Sequence, residues 1–160
     1  MSRTLACCLT LSLVLTLAAS TPAQGGAVSD GTFAGGVWTD VGSGLPGTGG
    51  VTPLLEGLGP LTAGSANALV LSNALPNSTA HLVVGFGTRV FLPFKGGTLV
   101  PAADAIIFGL PVSSTGTLQI PFHFPPGIAP STLFWVQHWI VDAGGPVGFS
   151  ASNGLQGEAQ

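Results

Sequence analysis

Charged residues are scarce in this sequence, and their scarcity excludes one class of partner. Only 6% of the 160 residues are charged, with 3 Lys and Arg against 6 Asp and Glu, whereas about a quarter is typical of soluble proteins. Nucleic-acid binding needs a basic patch that displaces the counterions of the phosphates. The sequence therefore predicts no nucleic-acid partner, and its solubility must depend on uncharged polar side chains and exposed backbone.

Cysteine is also scarce, since Cys7 and Cys8 are the only two and both lie near the N-terminus. One cation, Arg3, precedes an apolar run and then small residues, a pattern typical of a secretory signal peptide. We predict a signal peptide over residues 1–23, with cleavage after Ala23. A lipoprotein signal at one of the cysteines is the alternative, but a lipidated cysteine should follow the apolar run. The exported chain then contains no thiol, which excludes a disulfide and a cysteine nucleophile.

The N-terminal apolar run is shorter than the roughly 20 residues that a membrane helix requires. We therefore expect a secreted protein, extracellular or in the periplasm or cell envelope, with no transmembrane span in the mature chain. Residues 24–36 lack hydrophobic periodicity and predict a flexible lead-in. One domain is predicted over residues 37–155, followed by a C-terminal tail over residues 156–160.

Glycine and proline are abundant, at 25 and 13 residues, but 46% of the residues are hydrophobic. A chain this apolar can offset its ordering entropy by burial, so we expect it to fold. Short apolar or alternating runs between Gly, Pro, Asn and Ser predict strands, and only residues 51–58 suggest a short helical turn. The predicted fold is all-β, a single antiparallel β-sandwich of jelly-roll or Greek-key type with about 7–9 short strands. The runs cover residues 66–74, 80–86, 89–94, 98–101, 105–110, 117–124, 132–141 and 147–151.

Two of these runs indicate where their strands lie in a sheet. Residues 118–124 alternate between apolar and polar side chains, which predicts a strand with one buried face. Pro121 cannot donate a ladder hydrogen bond, which predicts either an edge strand or a backbone position whose amide would point to solvent. Residues 133–141 are apolar on both faces near their start, which predicts a more central strand.

The central question raised by the sequence is whether Gln137, His138 and Asp142 form a site. On an extended strand His138 and Asp142 share one face, while Gln137 and Trp139 share the other. Four residues of strand separate His138 from Asp142 by roughly 13 Å. A base and the carboxylate that orients it must be within hydrogen-bonding distance. An extended strand therefore excludes a direct His138–Asp142 dyad.

Acyl-transfer chemistry has little support, because the sequence lacks a Gly-x-Ser-x-Gly nucleophile elbow. Paired carboxylates of the glycosidase kind would have to come from Asp40, Asp104 or Asp142. Each lies beside a Gly- or Pro-bearing turn or at a strand start, where Asp commonly binds local backbone. A turn role is the favoured interpretation for all three, and a hydrolase using Asp40 or Asp142 remains the enzymatic alternative.

No metal or other cofactor is predicted. Zinc binding by His81, His123 and His138 would require three strands to converge, and no two of them have ligand spacing. Calcium binding by oxygen ligands near turns, such as those of Asp40, Asp142 and Asn153, is left open.

The three tryptophans admit two interpretations, core residues or an exposed platform that stacks on sugar rings. Trp135 and Trp139 lie in the most apolar run, which favours the core. Trp38 lies in a more open context. The residues that we would assign to ligand binding, if the protein binds a ligand, are therefore Trp38, Asp40, Trp139 and Asp142.

Six motifs occur in order over residues 38–155, nearly all of the expected mature chain. The sequence resembles a domain of uncharacterised secreted proteins from planctomycete-type bacteria. This resemblance implies export and a module that also occurs at the ends of larger extracellular proteins, and it implies no activity, cofactor or residue role. The motifs are Trp38-x-Asp40, Leu55-x-Gly-x-Gly-x-Leu61, Leu69-x-Leu-x-x-Ala-x-Pro76, Pro93-Phe-Lys-Gly-Gly-x-Leu-Val-Pro101, Gln137-x-Trp-x-x-Asp142 and Ser152-Asn-Gly-Leu155.

These observations together predict an exported, non-enzymatic module that is structural or adhesive, or that binds a macromolecule outside the cytoplasm. The expected partners are a polysaccharide or a cell-envelope protein. Carbohydrate binding through an exposed tryptophan is the first alternative, and hydrolysis is the second.

Overall fold

A computed structural model describes residues 37–160 of the chain. The expected signal peptide with its cleavage point, and the expected lead-in, lie outside these residues.

The described chain folds into eleven strands and two short 3-10 helices, Thr48–Gly50 and Pro146–Gly148. All strand pairs are antiparallel. The strands are β1 Trp38–Gly42, β2 Leu54–Leu58, β3 Ala66–Ser72, β4 Thr79–Phe86, β5 Arg89–Phe94, β6 Gly97–Pro101, β7 Ala105–Pro111, β8 Leu118–His123, β9 Leu133–Val141, β10 Phe149–Ala151 and β11 Gly154–Glu158.

The strands form three sheets of very different size. Sheet A has the order β1-β11-β9-β4-β7, with β10 also paired to β9. Sheet B has the order β2-β3-β8, and sheet C is the β5–β6 hairpin.

Sheets A and B bury their facing side chains against each other, which gives the domain a sandwich-like core. Leu55 and Leu69 from sheet B pack with Leu82, Val136 and Leu155 from sheet A. Sheet C lies on the opposite face of sheet A, because odd-numbered residues of β9 contact the hairpin while even-numbered ones contact sheet B. The central strand β9 is therefore covered on both faces.

The predicted all-β, antiparallel class is confirmed, and each of the eight predicted runs overlaps one of the strands β3 to β10. Eleven strands are present rather than 7–9, because β1, β2 and β11 were not predicted. The helical turn suggested for residues 51–58 is wrong, since β2 lies there. The tail predicted from residue 156 is also wrong, since β11 continues to Glu158.

Glycines account for two of the missed strands. A side chain at Gly57 in β2 would collide with the ring of Trp38, and one at Gly157 in β11 would collide with the ring of Phe134. Glycine usually weakens a strand, but it also marks places where another group approaches the backbone closely. In these two strands it makes room for an aromatic ring.

The two positional predictions for strands are confirmed. β8, which contains Pro121, lies at the edge of sheet B, and its side chains alternate between half-buried and exposed. β9 lies between β11 and β4 and is buried over most of its length. Over residues 37–160 no helix has the length and apolar character needed to cross a membrane.

Candidate functional site

Trp38 uses its ring to hold β1 against its neighbours. The ring packs on Gly57 and meets the edge of Phe134, with 5.6 Å between the ring centroids. Its indole N–H donates to the carbonyl of Gly59 at 3.1 Å. The side chain is half-buried, so only part of it is accessible to a ligand.

Asp40 and Asp104 each accept a hydrogen bond from the backbone. Asp40 accepts a hydrogen bond from the backbone N–H of Gly42 at 2.7 Å. Asp104 accepts one from the backbone N–H of Phe86, also at 2.7 Å. Both side chains are exposed. The bond of Asp40 is local, as the turn interpretation predicts, whereas Asp104 binds backbone 18 residues away.

Trp135 and Trp139 are core residues, as the sequence predicts, with 4% and 2% of their surfaces exposed. The Trp139 indole donates to Oε1 of Gln137 at 3.3 Å. Its ring meets that of Phe94 edge-on, with 4.9 Å between the centroids. Neither tryptophan presents a ring face to solvent, so neither offers a platform for sugars.

Asp142 is buried and joins distant parts of the chain. Its carboxylate accepts hydrogen bonds from the backbone N–H and the hydroxyl of Thr48, at 2.9 and 2.5 Å, and from the N–H of Gly144 at 3.0 Å. A side chain at Gly47 would collide with the carboxylate. Burial acts to raise the pKa of Asp142, but the hydrogen bonds from Thr48 and Gly144 outweigh it, and the net pKa is lowered. The carboxylate is therefore held ionised as an anchor for the loop at Thr48.

Asp142 lies at the edge of a cleft. The carboxylate borders a shallow cleft of about 200 Å³, whose walls include Val51, Ala74 and Leu75. Across residues 37–160, no three His, Cys, Asp or Glu side chains come together as a metal site would require. Asp40 and Asp142, the residues of the hydrolase alternative, both accept hydrogen bonds from backbone N–H groups.

His138 is fully buried on the face of sheet A that meets sheet B. Neither ring nitrogen hydrogen-bonds to another described residue. Burial lowers the pKa of His138 from 6.5 to about 4, because the charged form loses its hydration. The imidazole is therefore neutral near pH 7 and lies within the core as a polar group without a described partner.

Gln137 uses its whole amide group to attach the hairpin to sheet A. Its Oε1 accepts from the N–H of Val100 at 3.0 Å, and its Nε2 donates to the carbonyls of Thr98 and Ser152, both at 3.1 Å. Thr98 and Val100 present these backbone groups on one edge of β6, since successive residues of a strand alternate between its edges. β5 pairs with the other edge, so the hairpin is anchored through β6 and β5 lies on the far side.

β5 is consequently an exposed strand with apolar side chains. The exposed fractions of Phe91, Leu92 and Phe94 are 44%, 53% and 43%. A cation lies at each end of this strand: Arg89 is its first residue, and Lys95 follows its last residue. Arg89 lies over the ring of Phe91 at 5.3 Å, and Lys95 lies over the ring of Phe149 at 5.0 Å. We call the surface of Arg89, Phe91, Leu92, Phe94 and Lys95 the hairpin surface.

The outer edge of β5 is irregular. The pairing of β5 with β6 shifts between Arg89 and Leu92, and Phe91 has a positive φ of 48°. Pro93 lacks the N–H that a paired strand would donate. These features protect the edge against the addition of another strand, so recognition here must involve side chains.

The sequence analysis did not assign the hairpin surface to a site. Its signal was available in Arg89-Val-Phe-Leu-Pro-Phe-Lys95, which contains both Lys/Arg residues of the described chain and three consecutive apolar positions before the proline. Such a segment lacks the alternation of a strand with one buried face. The sequence predicted a strand over residues 89–94 but did not predict that its apolar side chains are exposed.

No protein-family model, curated protein or solved structure matches this chain. The function must therefore be inferred from the residues themselves.

Proposed function

We propose that this chain is an exported, non-enzymatic module that binds another component of the cell envelope through the hairpin surface. One observation supports the proposal above others: Phe91, Leu92 and Phe94, three of the twelve exposed large apolar residues of the described chain, lie together on β5 between its two cations, Arg89 and Lys95. Exposed apolar side chains grouped in this way mark interaction sites more often than isolated ones do. The resemblance to domains of secreted bacterial proteins agrees with an envelope location.

The buried polar residues support a structural rather than a catalytic role. Gln137 and Asp142 have their hydrogen-bonding groups occupied by backbone and side-chain partners elsewhere in the domain. Asn153 binds both the N–H and the carbonyl of Leu55. These interactions join sheets and loops, and they leave the groups poorly available for substrate.

We also propose that the sandwich-like core is of the predicted jelly-roll class. β5 pairs with β6, β4 with β7, and β3 with β8, so the pairs are nested around the hairpin. Nested antiparallel pairs are produced when a long hairpin folds over on itself, which is the topology of a jelly roll. The hairpin surface lies beside the innermost turn of this arrangement.

The binding proposal is tested by co-sedimentation of the purified chain with envelope fractions of the bacterium that encodes it. We expect saturable binding to one fraction that unlabelled protein competes for. The same samples should be assayed for released sugars or peptides. Absence of binding to every fraction would contradict the proposal, and product release that Asp142→Asn abolishes would establish the hydrolase alternative instead.

A further inference from the structure

We infer that the hairpin surface docks on an anionic lipid bilayer, an inference that rests on the proposed binding role and names its partner. The described chain has 5 carboxylates against two cations, and both cations lie at the ends of the same exposed strand. Arg89 and Lys95 thus make β5 the electropositive part of a domain that is otherwise acidic. Anionic lipid headgroups attract such cations.

The residues between the cations suit the region just below the headgroups. Phe91, Leu92 and Phe94 are roughly half-exposed and carry no polar group. Val147, which is 69% exposed, lies beside the turn of the hairpin, because a side chain at Gly96 would lie within 3.7 Å of it. Transfer of these side chains out of water would add hydrophobic stabilisation to the electrostatic attraction.

The same chemistry disfavours the other classes of partner. Sugars are recognised by an aromatic face together with hydrogen-bonding side chains. Residues 90–94 contain no hydroxyl or amide side chain, and Arg89 covers one face of the Phe91 ring. A peptide strand would need a regular edge, whereas β5 has a register shift and Pro93. An anionic bilayer requires neither hydrogen-bonding side chains nor a regular strand edge.

The inference is tested by sedimentation of sucrose-loaded vesicles with the purified chain. Vesicles of phosphatidylcholine alone are compared with vesicles that also contain phosphatidylglycerol. We expect binding to the anionic vesicles that weakens as salt is added. Arg89→Gln with Lys95→Gln should weaken it about 30-fold, since each cation near an anionic surface contributes about 1 kcal/mol.

Matched variants separate the hairpin surface from general effects of charge and hydrophobicity. Leu92→Ser should weaken binding roughly tenfold, whereas Leu58→Ser should not, although Leu58 in sheet B is similarly exposed at 50%. A charge control combines Thr39→Glu with Gln119→Glu, at exposed positions on β1 and β8. It lowers the net charge by two, as the combined Arg89→Gln and Lys95→Gln changes do. This control should retain nearly all of the binding, and unchanged melting temperatures will show that each variant is folded.

Three outcomes would overturn the inference. They are no binding to either vesicle, binding that the hairpin variants leave unchanged, and hairpin-dependent binding to a soluble anionic polysaccharide such as alginate without binding to vesicles. If envelope fractions are bound while vesicles are not, the lipid inference fails and the proposed binding role stands. If neither is bound, both fail.

Discussion

β9 and β5 are both apolar strands, but they have opposite relations to solvent. β9 lies at the centre of sheet A, with both faces covered, and its polar residues are buried with it. β5 is attached through one partner strand and exposes most of its side chains. The buried polar residues of β9 are therefore structural, whereas β5 contributes apolar side chains to the accessible surface.

The largest expected effect comes from removing the ring that connects these two regions. Trp139 is almost fully buried and contacts Phe94 of β5. Trp139→Ala should lower the free energy of unfolding by roughly 3–5 kcal/mol, because it removes a buried indole and leaves a cavity. Urea unfolding measures the loss. Phe108→Ala, at a position 70% exposed, is the control, and a Trp139→Ala variant as stable as that control would show that the ring is not in the core.

The next effect concerns His138 and pH. Its pKa is about 4 in the folded protein and 6.5 when unfolded, so between these values the unfolded chain binds more protons. Stability should be full above pH 6.5 and decrease as the pH falls towards 4, by about 3 kcal/mol in total. Thermal melts across this range measure the slope.

His138→Leu should abolish that slope, while His123→Gln, at an exposed position in β8, should retain it. Asp142 acts in a separate and more acidic window. Its pKa is lowered below 3.8 by its hydrogen bonds, so the stability that it contributes above that value is lost only as the pH falls below it. A slope between pH 6.5 and 4 that survives His138→Leu would show that another group is responsible.

A smaller effect should follow from detaching the hairpin. Gln137→Met leaves the N–H of Val100 and the carbonyls of Thr98 and Ser152 without their side-chain partner. We expect a loss of about 2 kcal/mol in the free energy of unfolding. Hydrogen exchange at the Val100 amide should accelerate more than exchange in β4. Gln119→Met on the exposed face of β8 serves as the control, and equal protection of Val100 in both variants would contradict the role given to Gln137.

The contrast between β9 and β5 also explains what the sequence could predict. Local patterns predicted the burial of two strands correctly. The alternation of residues 118–124 and Pro121 predicted an edge strand with one buried face, and the apolar run of β9 predicted a central strand. Asp40 binds the N–H of a residue two positions away, so its turn role was readable. Asp142 binds Thr48 across 94 residues and Gln137 binds Val100 across 37, and no local pattern encodes such partners.

The missed features have the same physical origin. In the sequence, Gly57 and Gly157 suggest that strands end there. In the structure, the glycines make room for the rings of Trp38 and Phe134, and the strands continue. The apolar residues of β5 do not reveal from the sequence alone that this strand pairs only with β6 and leaves Phe91 and Leu92 about half exposed. Hydrophobicity predicts which residues favour burial, but the topology decides which of them the domain can cover.

The smallest expected effect tests whether β5 is surface or core. Leu92→Ser should change the free energy of unfolding by less than about 1 kcal/mol, as should Leu58→Ser, because each side chain remains about half in water when folded. Leu71→Ser, at a fully buried position in β3, should cost several times more. Chemical denaturation of the three variants makes the comparison. A loss at Leu92 that approaches the loss at Leu71 would place β5 in the core, and the hairpin surface would then be unavailable to any partner.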